Sequence, residues 1–334
     1  MEQSYLIETN GLTKKYSRKA VVDHVNMHIP EGTIYGFVGE NGSGKTTIMR
    51  LLTGLAEPSD GSFTLFGVSN TSKEIYKMRK KMSAIVEVTS LVPSMTALDN
   101  IAYQETYLGI KLTLEERKAL LEKVHLDKVG NKKVKDFSLG MRQRLGIALA
   151  LMNKPRLMLL DEPMNGLDPQ GIAELRDLLI ELNLKENITV LISSHILSEL
   201  EKVASVYGFI SHGHLIEEIT VEELRRRCRK SLTVKVADAH GVEELLKSLK
   251  VSDFDISANG DIKVYDEVDI GRLVSELYKK KVNIIAINSA DENVEDYYLN
   301  LVTRYEAEQK ALEEQKEREK EEAKKVQEAK EENK

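Results

Sequence analysis

Gly39-Glu40-Asn41-Gly42-Ser43-Gly44-Lys45-Thr46 decides the reading of this chain. It matches the pattern G-x-x-x-x-G-K-[ST]. Before it, Thr33-Ile34-Tyr35-Gly36-Phe37-Val38 reads as a buried strand; after it, Ile48, Leu51, Leu52 and Leu55 recur at helical spacing. Strand, glycine loop and helix in this order are the context that gives the pattern its meaning. Glycine lets backbone N–H groups converge on phosphate oxygens without Cβ clashes, and the helix N-terminus adds partial positive charge. Gly39, Asn41, Gly42, Ser43 and Gly44 are therefore expected to form a phosphate cradle. Lys45 is expected to neutralise the outer phosphates of a nucleotide, and Thr46 to offer its hydroxyl to Mg2+. The neighbouring Thr47 is counted with the nucleotide-contacting residues.

A second signal lies downstream. Leu157-Met158-Leu159-Leu160-Asp161-Glu162 is an apolar strand that ends in two carboxylates. Neighbours on a strand point to opposite sides, so the two acids can do different work. Asp161 is expected to hold Mg2+ through its water, and Glu162 to polarise or deprotonate an attacking water. Around these motifs, strands and helices alternate. Ser62 to Phe66 is expected as a strand, 96 to 153 as mostly helical, and Ile172 to Leu182 as a helix. Ile188 to Ser193 reads as a strand and Ile196 to Ala204 as a helix. Such alternation indicates a mainly parallel sheet covered by helices.

These residues resemble the nucleotide-binding subunit of ABC transporters over about the first 220 residues. Phe137-Ser138-Leu139-Gly140-Met141-Arg142-Gln143-Arg144 is similar to the family's LSGGQ-x-QR signature. Leu139 and Met141 depart from it, standing where the first glycine and the glutamine occur, while Ser138 and Gly140 remain. The resemblance implies that Ser138 and the N–H groups near Gly140 bind the γ-phosphate of ATP held by an opposite subunit. Asn165-Gly166-Leu167-Asp168 resembles the loop that crosses the dimer interface, and Asp168 is carried over as a nucleotide-site residue. His195 corresponds to the family's switch histidine beside Glu162, and Tyr16 to the aromatic that stacks on adenine. Glu87, in Ile85-Val86-Glu87-Val88, stands where the family has a glutamine on the Mg2+ side; an alignment with no equivalent of that glutamine is the other reading. A glutamate there resembles the branch that exports, or confers immunity to, bacitracin-like and lantibiotic peptides. The surface around 85–110 would then receive a short permease helix.

The implied fold is an α/β P-loop ATPase cassette with a mainly parallel sheet core, an antiparallel β subdomain and a helical subdomain. The cassette is expected over 1–222, with the helical subdomain at about 88–153. Leu224-Arg225-Arg226-Arg227-Cys228-Arg229-Lys230 reads as a basic linker. A small accessory α/β domain is expected over 223–303, with strands at Leu232–Val236, Asp261–Tyr265 and Val282–Ile287. Helices are expected at Val242–Leu249 and Ile270–Lys280. The segment 304–334 is nearly all Glu, Lys, Ala and Gln and reads as a charged helical or disordered tail, because it cannot bury a core of its own.

Composition bounds the function. The 334 residues carry a net charge of −6, against a broad nucleic-acid surface. One cysteine, Cys228, allows no intrachain disulfide and suits a reducing compartment. No run approaches the ~20 apolar residues of a membrane-spanning helix, and the N-terminus does not read as a signal peptide. The expectation is a dimeric ATPase using ATP and Mg2+ at the cytoplasmic face of the membrane. It would drive a separate integral-membrane permease that exports an antimicrobial peptide, drug or other amphipathic substrate. A soluble ATPase acting on ribosomes or DNA and a non-catalytic regulatory subunit are the rival readings. One phosphate loop without long coiled coils speaks against the first, and the intact set Asp161, Glu162 and His195 against the second.

Overall fold

The computed structural model describes residues 4–331 except 18, 88–89, 229–230, 238–241, 250, 258–260, 267 and 291–293. The chain divides into two compact units, residues 1–221 with 301–334, and residues 222–300.

In the first unit the strands are β1 (Tyr5–Tyr16), β2 (Lys19–Val25), β3 (His28–Pro30) and β4 (Ile34–Val38), and α1 (Lys45–Thr53) follows the glycine loop. Then come β5 (Asp60–Leu65), β6 (Val68–Ser69), α2 (Ile75–Arg79) and β7 (Met82–Ile85). A helical stretch holds α3 (Ala97–Leu108), α4 (Leu114–Lys123) and α5 (Leu139–Leu151). The chain returns through β8 (Leu157–Leu160), α6 (Pro169–Glu186), β9 (Thr189–Ser194), α7 (Leu197–Leu200), β10 (Val206–Ser211) and β11 (His214–Thr220).

Two sheets result. The central one has the order β11-β10-β4-β9-β8-β7, parallel throughout except for the antiparallel edge strand β11. Strands buried on both faces must be apolar without alternation, and every residue of β4, β8 and β9 is buried. The other sheet is antiparallel, β2-β1-β5-β6 with β3 also pairing β1. Tyr35, Phe37, Ile48, Leu51, Leu52 and Phe63 join the two sheets in one core, each fully buried aliphatic or aromatic side chain contributing about 1.5–3 kcal/mol.

Helix ends follow local chemistry. Thr96 with Asp99 and Thr113 with Glu116 form reciprocal capping boxes at the starts of α3 and α4. The Asp99 and Glu116 carboxyls are held below the usual range chiefly by the bonds to those threonines. Asp168 caps α6 with Pro169 in its first turn, and Asn187 ends it in the left-handed conformation. The helix expected over 196–204 is regular only at Leu197–Leu200. The chain then turns so that Ser205 N–H can donate to Ile34 O at 2.8 Å and lead into β10.

The second unit opens with α8 (Val221–Arg227), which crosses the unit boundary, so most of the basic run is helical rather than a linker. Glu223 bonds Arg227 Nε at 2.9 Å and pairs with Arg226, as helical spacing allows; Arg229 and Lys230 lie outside the described residues. Next are β12 (Ser231–Val236), α9 (Val242–Ser248), β13 (Phe254–Ile256), β14 (Asp261–Val264), α10 (Ile270–Lys279) and β15 (Ile284–Ala290). The sheet order β13-β14-β12-β15, antiparallel at each pairing, is the split β-α-β arrangement. Val234, Val236, Leu246, Ile262, Val264 and Leu277 form its core. The final helix, α11 (Val294–Glu331), starts well before residue 304. Within the first unit its Tyr305 ring lies 6.0 Å from the His214 ring.

Candidate active site

The phosphate loop runs from the end of β4 into α1, and two of its glycines have steric reasons to be there. A Cβ on Gly39 would stand 2.4 Å from Ile210 O and 2.6 Å from Ser43 Oγ, and Gly44 has φ +111° with Val21 O 2.8 Å from its Cβ position. Asn41 and Gly42 are exposed, Ser43, Gly44, Lys45 and Thr47 are buried, and Thr46 is half-buried. Ser43 Oγ is buried without a hydrogen-bond partner among the described residues. An orphaned donor inside a loop of converging amides fits an anion, because leaving it unmade is costly.

Lys45 is 4 % exposed, and its Nζ donates to Gly39 O at 2.5 Å and Glu40 O at 3.1 Å, bracing the loop from within. The same Nζ lies 3.2 Å from Glu162 Oε1, an ion-pair approach without hydrogen-bond geometry. Thr46 Oγ1 donates to Asp161 Oδ2 at 2.7 Å. A hydroxyl beside one carboxylate suits Mg2+, which keeps several waters and takes its remaining ligands from phosphate. No cluster of three or more His, Cys, Asp or Glu that could cage a metal occurs among the described residues.

Glu162 is held on both sides. His195 Nδ1 is 2.7 Å from its Oε2, and Lys45 approaches its Oε1. With a carboxylate oxygen as acceptor, the proton of this bond sits on Nδ1. The Glu162 backbone is left-handed, φ +48°. This is an uncommon conformation for a residue with a Cβ.

Ser193, absent from the sequence-level candidates, anchors this turn. Its Oγ accepts from Glu162 N–H at 2.9 Å and donates to Asp161 Oδ1 at 2.7 Å. Its place at the polar end of an apolar strand, two residues before His195, was the available signal. Glu199 was missed as well. It accepts from Ser194 Oγ at 3.1 Å. Burial pushes its carboxyl up, and the nearby Glu162 charge adds to this against the bond from Ser194 and the proximity of His195.

The structure therefore brings Lys45, Thr46, Asp161, Glu162 and His195 into direct contact. The candidates outside the loop 39–47 lie apart from this cluster. Tyr16, at the end of β1, is 46 % exposed, with Lys14 Nζ 5.2 Å from its ring centroid. Ser138 caps α5 by accepting Met141 N–H at 3.2 Å. A Cβ on Gly140 would meet only Leu167 and Gly171 at ordinary contact distances, and Asp168 accepts from Gly171 N–H at 3.2 Å. Among the described contacts none links Ser138, Gly140 or Asp168 to the phosphate loop of the same chain. The Glu87 carboxylate is paired with Arg50 on α1, and no described contact joins it to Thr46 or Asp161. Glu87 and Leu139, both departures from the family pattern, border one cavity of about 460 Å3 together with Lys135 and Arg142.

Comparison with known proteins places this geometry. The profile of the ABC transporter family matches residues 22–165. The bacitracin transport ATP-binding protein BcrA of Enterococcus faecalis is 40 % identical over 304 residues, 90 % of this chain and 98 % of that protein. The lantibiotic transport ATP-binding protein SrtF of Streptococcus pyogenes is 43 % identical over 213 residues, 64 % of this chain and 90 % of that protein. Among solved structures, a dimeric post-hydrolysis state of the ATP-binding cassette MJ0796 bound to ADP and Pi aligns with a TM-score of 0.57 at 26 % identity. It covers 64 % of this chain and 98 % of the cassette. The phosphate loop, the paired carboxylates and full-length likeness to BcrA agree: the chain belongs to the ABC transporter family, as one of its ATP-binding, ATP-hydrolysing subunits.

Proposed function

We propose that two copies of this chain, or one copy and a similar subunit, close on ATP and drive a separate integral-membrane permease that expels an amphipathic antimicrobial peptide. The observation that carries the catalytic part is the Glu162 carboxylate between Lys45 and His195, one residue from the Asp161–Thr46 pair.

In this reading the triphosphate lies against the loop 39–47, with Ser43 Oγ and the loop amides donating to phosphate oxygens. Lys45 exchanges its contact with Glu162 for the outer phosphates. Thr46 and, through water, Asp161 would hold Mg2+, which would neutralise phosphate charge. Glu162, freed from Lys45 and oriented by His195, takes the proton of the attacking water. Tyr16 offers its exposed ring face to adenine.

Ser138 is exposed at the N-terminus of α5. It serves the γ-phosphate of the other copy, with Gly140 and Asp168 at the same interface. Glu87 serves the metal side of the site. No helix among the described residues is long and apolar enough to cross a membrane, so attachment to the cytoplasmic face runs through the permease. The likeness to BcrA over nearly the whole of both chains supports a peptide cargo of the bacitracin or lantibiotic kind. Nucleic acid is not a partner in this reading.

The test combines two variants and one phenotype. Glu162→Gln retains ATP binding, loses turnover and shifts to a dimer in gel filtration with ATP and Mg2+; Lys45→Ala loses nucleotide binding. Cells lacking the protein become more sensitive to cyclic or lantibiotic peptides. Normal hydrolysis by both variants refutes the site, and unchanged peptide sensitivity refutes the cargo.

A further inference from the structure

Glu87 brings a negative charge to the loop after β7, close to the helix that carries the phosphate loop. Among the described residues its carboxylate has one ionic partner, the Arg50 guanidinium. Arg50 stands four residues after Thr46 on α1, so the two share a helix face about one turn apart. Thr46 in turn bonds Asp161 at 2.7 Å. The Glu87 carboxylate is thus pinned to the flank of α1 one turn behind the pair that suits Mg2+.

The pair is open to water, Arg50 at 37 % and Glu87 at 55 % side-chain exposure. Ion pairs so exposed add little to folding stability. Its effect is on charge and direction. An unpaired carboxylate here would repel a triphosphate. Two unit charges about 10 Å apart at an effective dielectric of about 40 alter a binding constant roughly fourfold. A guanidinium also holds a carboxylate in one plane and orientation, which an isolated loop side chain lacks.

We infer that Arg50 is a positioning residue for the reaction: it cancels the charge of Glu87 and fixes the carboxylate on the flank of α1, one turn from Thr46. The inference rests on the ATPase reading above. It requires Arg50 to matter for kcat only while residue 87 is an acid, although its charge bears on metal-free binding in either background. A residue that merely braces α1 would matter equally with either side chain at 87.

Four full-length proteins decide between these: wild type, Arg50→Ala, Glu87→Gln and the double variant. One readout is the affinity for a fluorescent ATP analogue in EDTA, where neither metal nor turnover contributes. The other is kcat with Mg2+. Arg50→Ala is expected to weaken metal-free ATP binding about fourfold and to lower kcat about tenfold. The double variant, with the same local net charge as wild type, is expected to bind ATP within twofold of wild type and to show a kcat within twofold of Glu87→Gln. Arg50→Lys, which keeps the charge, should bind ATP within twofold of wild type, and Arg50→Gln provides a second neutral variant of similar length. Equal losses of kcat from Arg50→Ala in the wild-type and Glu87→Gln backgrounds, or no loss of kcat in either, overturn the inference. The ATPase reading stands or falls separately: it fails if the wild type binds no nucleotide or if Glu162→Gln hydrolyses ATP normally.

Discussion

Replacing Ser193 by alanine removes one hydroxyl and two hydrogen bonds at the centre of the site. Ser193 is fully buried at 0 % exposure, so water does not readily replace it. Its Oγ donates to the Asp161 carboxylate at 2.7 Å and accepts from Glu162 N–H at 2.9 Å. A bond to an ionised acceptor contributes about 1.5–3 kcal/mol and a neutral one about 1 kcal/mol. Asp161 keeps its bond from Thr46, which limits the first loss. The expected destabilisation is about 3 kcal/mol. For a unit of 150–250 residues each kcal/mol moves the midpoint by about 2–4 °C, so Ser193→Ala should lower it by about 6–12 °C. The Glu162 backbone, left-handed at φ +48°, loses its anchor at the same time. Turnover should fall at least tenfold with little change in ATP affinity, because the phosphate loop is untouched. Far-UV circular dichroism melts and a phosphate-release assay measure the two effects. A midpoint within 2 °C of wild type together with unchanged kcat refutes the reasoning.

Three further outcomes follow from separate contacts. Tyr35→Phe removes the 2.7 Å bond from a buried hydroxyl to Glu218, which also accepts from His28 N–H at 2.8 Å; a loss of about 2 kcal/mol should appear as a midpoint about 4–8 °C lower. Glu199→Gln should raise the midpoint at pH 7.5, because burial holds this carboxyl above its ordinary value and its ionisation opposes folding. A group of this kind stabilises fully below its unfolded pKa and loses that contribution as pH rises through the folded value, so the gain should vanish in melts near pH 4.5. Gly39→Ala places a Cβ 2.4 Å from Ile210 O; equilibrium binding with a fluorescent ATP analogue should show affinity lost by at least tenfold, and unchanged binding would show that the loop tolerates the shift.

How much of this was legible before folding depends on what carries each feature. The phosphate loop and the acidic end of β8 are contiguous segments whose chemistry is complete within a few residues. The buried strands beside them carry unbroken apolar runs, and α6 carries Pro169 and an aspartate cap. Glycine at 39 and 44 was readable as a motif, although the contacts that exclude a side chain come from Ile210 and Val21, remote in sequence.

Only the tertiary structure decided the rest. The hairpin Val206–Thr220 went unassigned because its reason lies in β4, which β10 pairs in parallel across more than a hundred and fifty residues. The antiparallel second unit gained β13 in the same way, a three-residue strand with meaning only against β14. The basic run at 224–230 looked like a linker until Glu223 met Arg227 one helical turn away. In the site, Thr46 reaches Asp161 over 115 residues and His195 reaches Glu162 over 33. Ser193 took part without any motif to announce it. Local sequence sets which backbone shapes and side-chain chemistries are available. Sheet order and register set which distant groups share a few ångströms, and hydrogen bonds and ion pairs of this kind fade within that range.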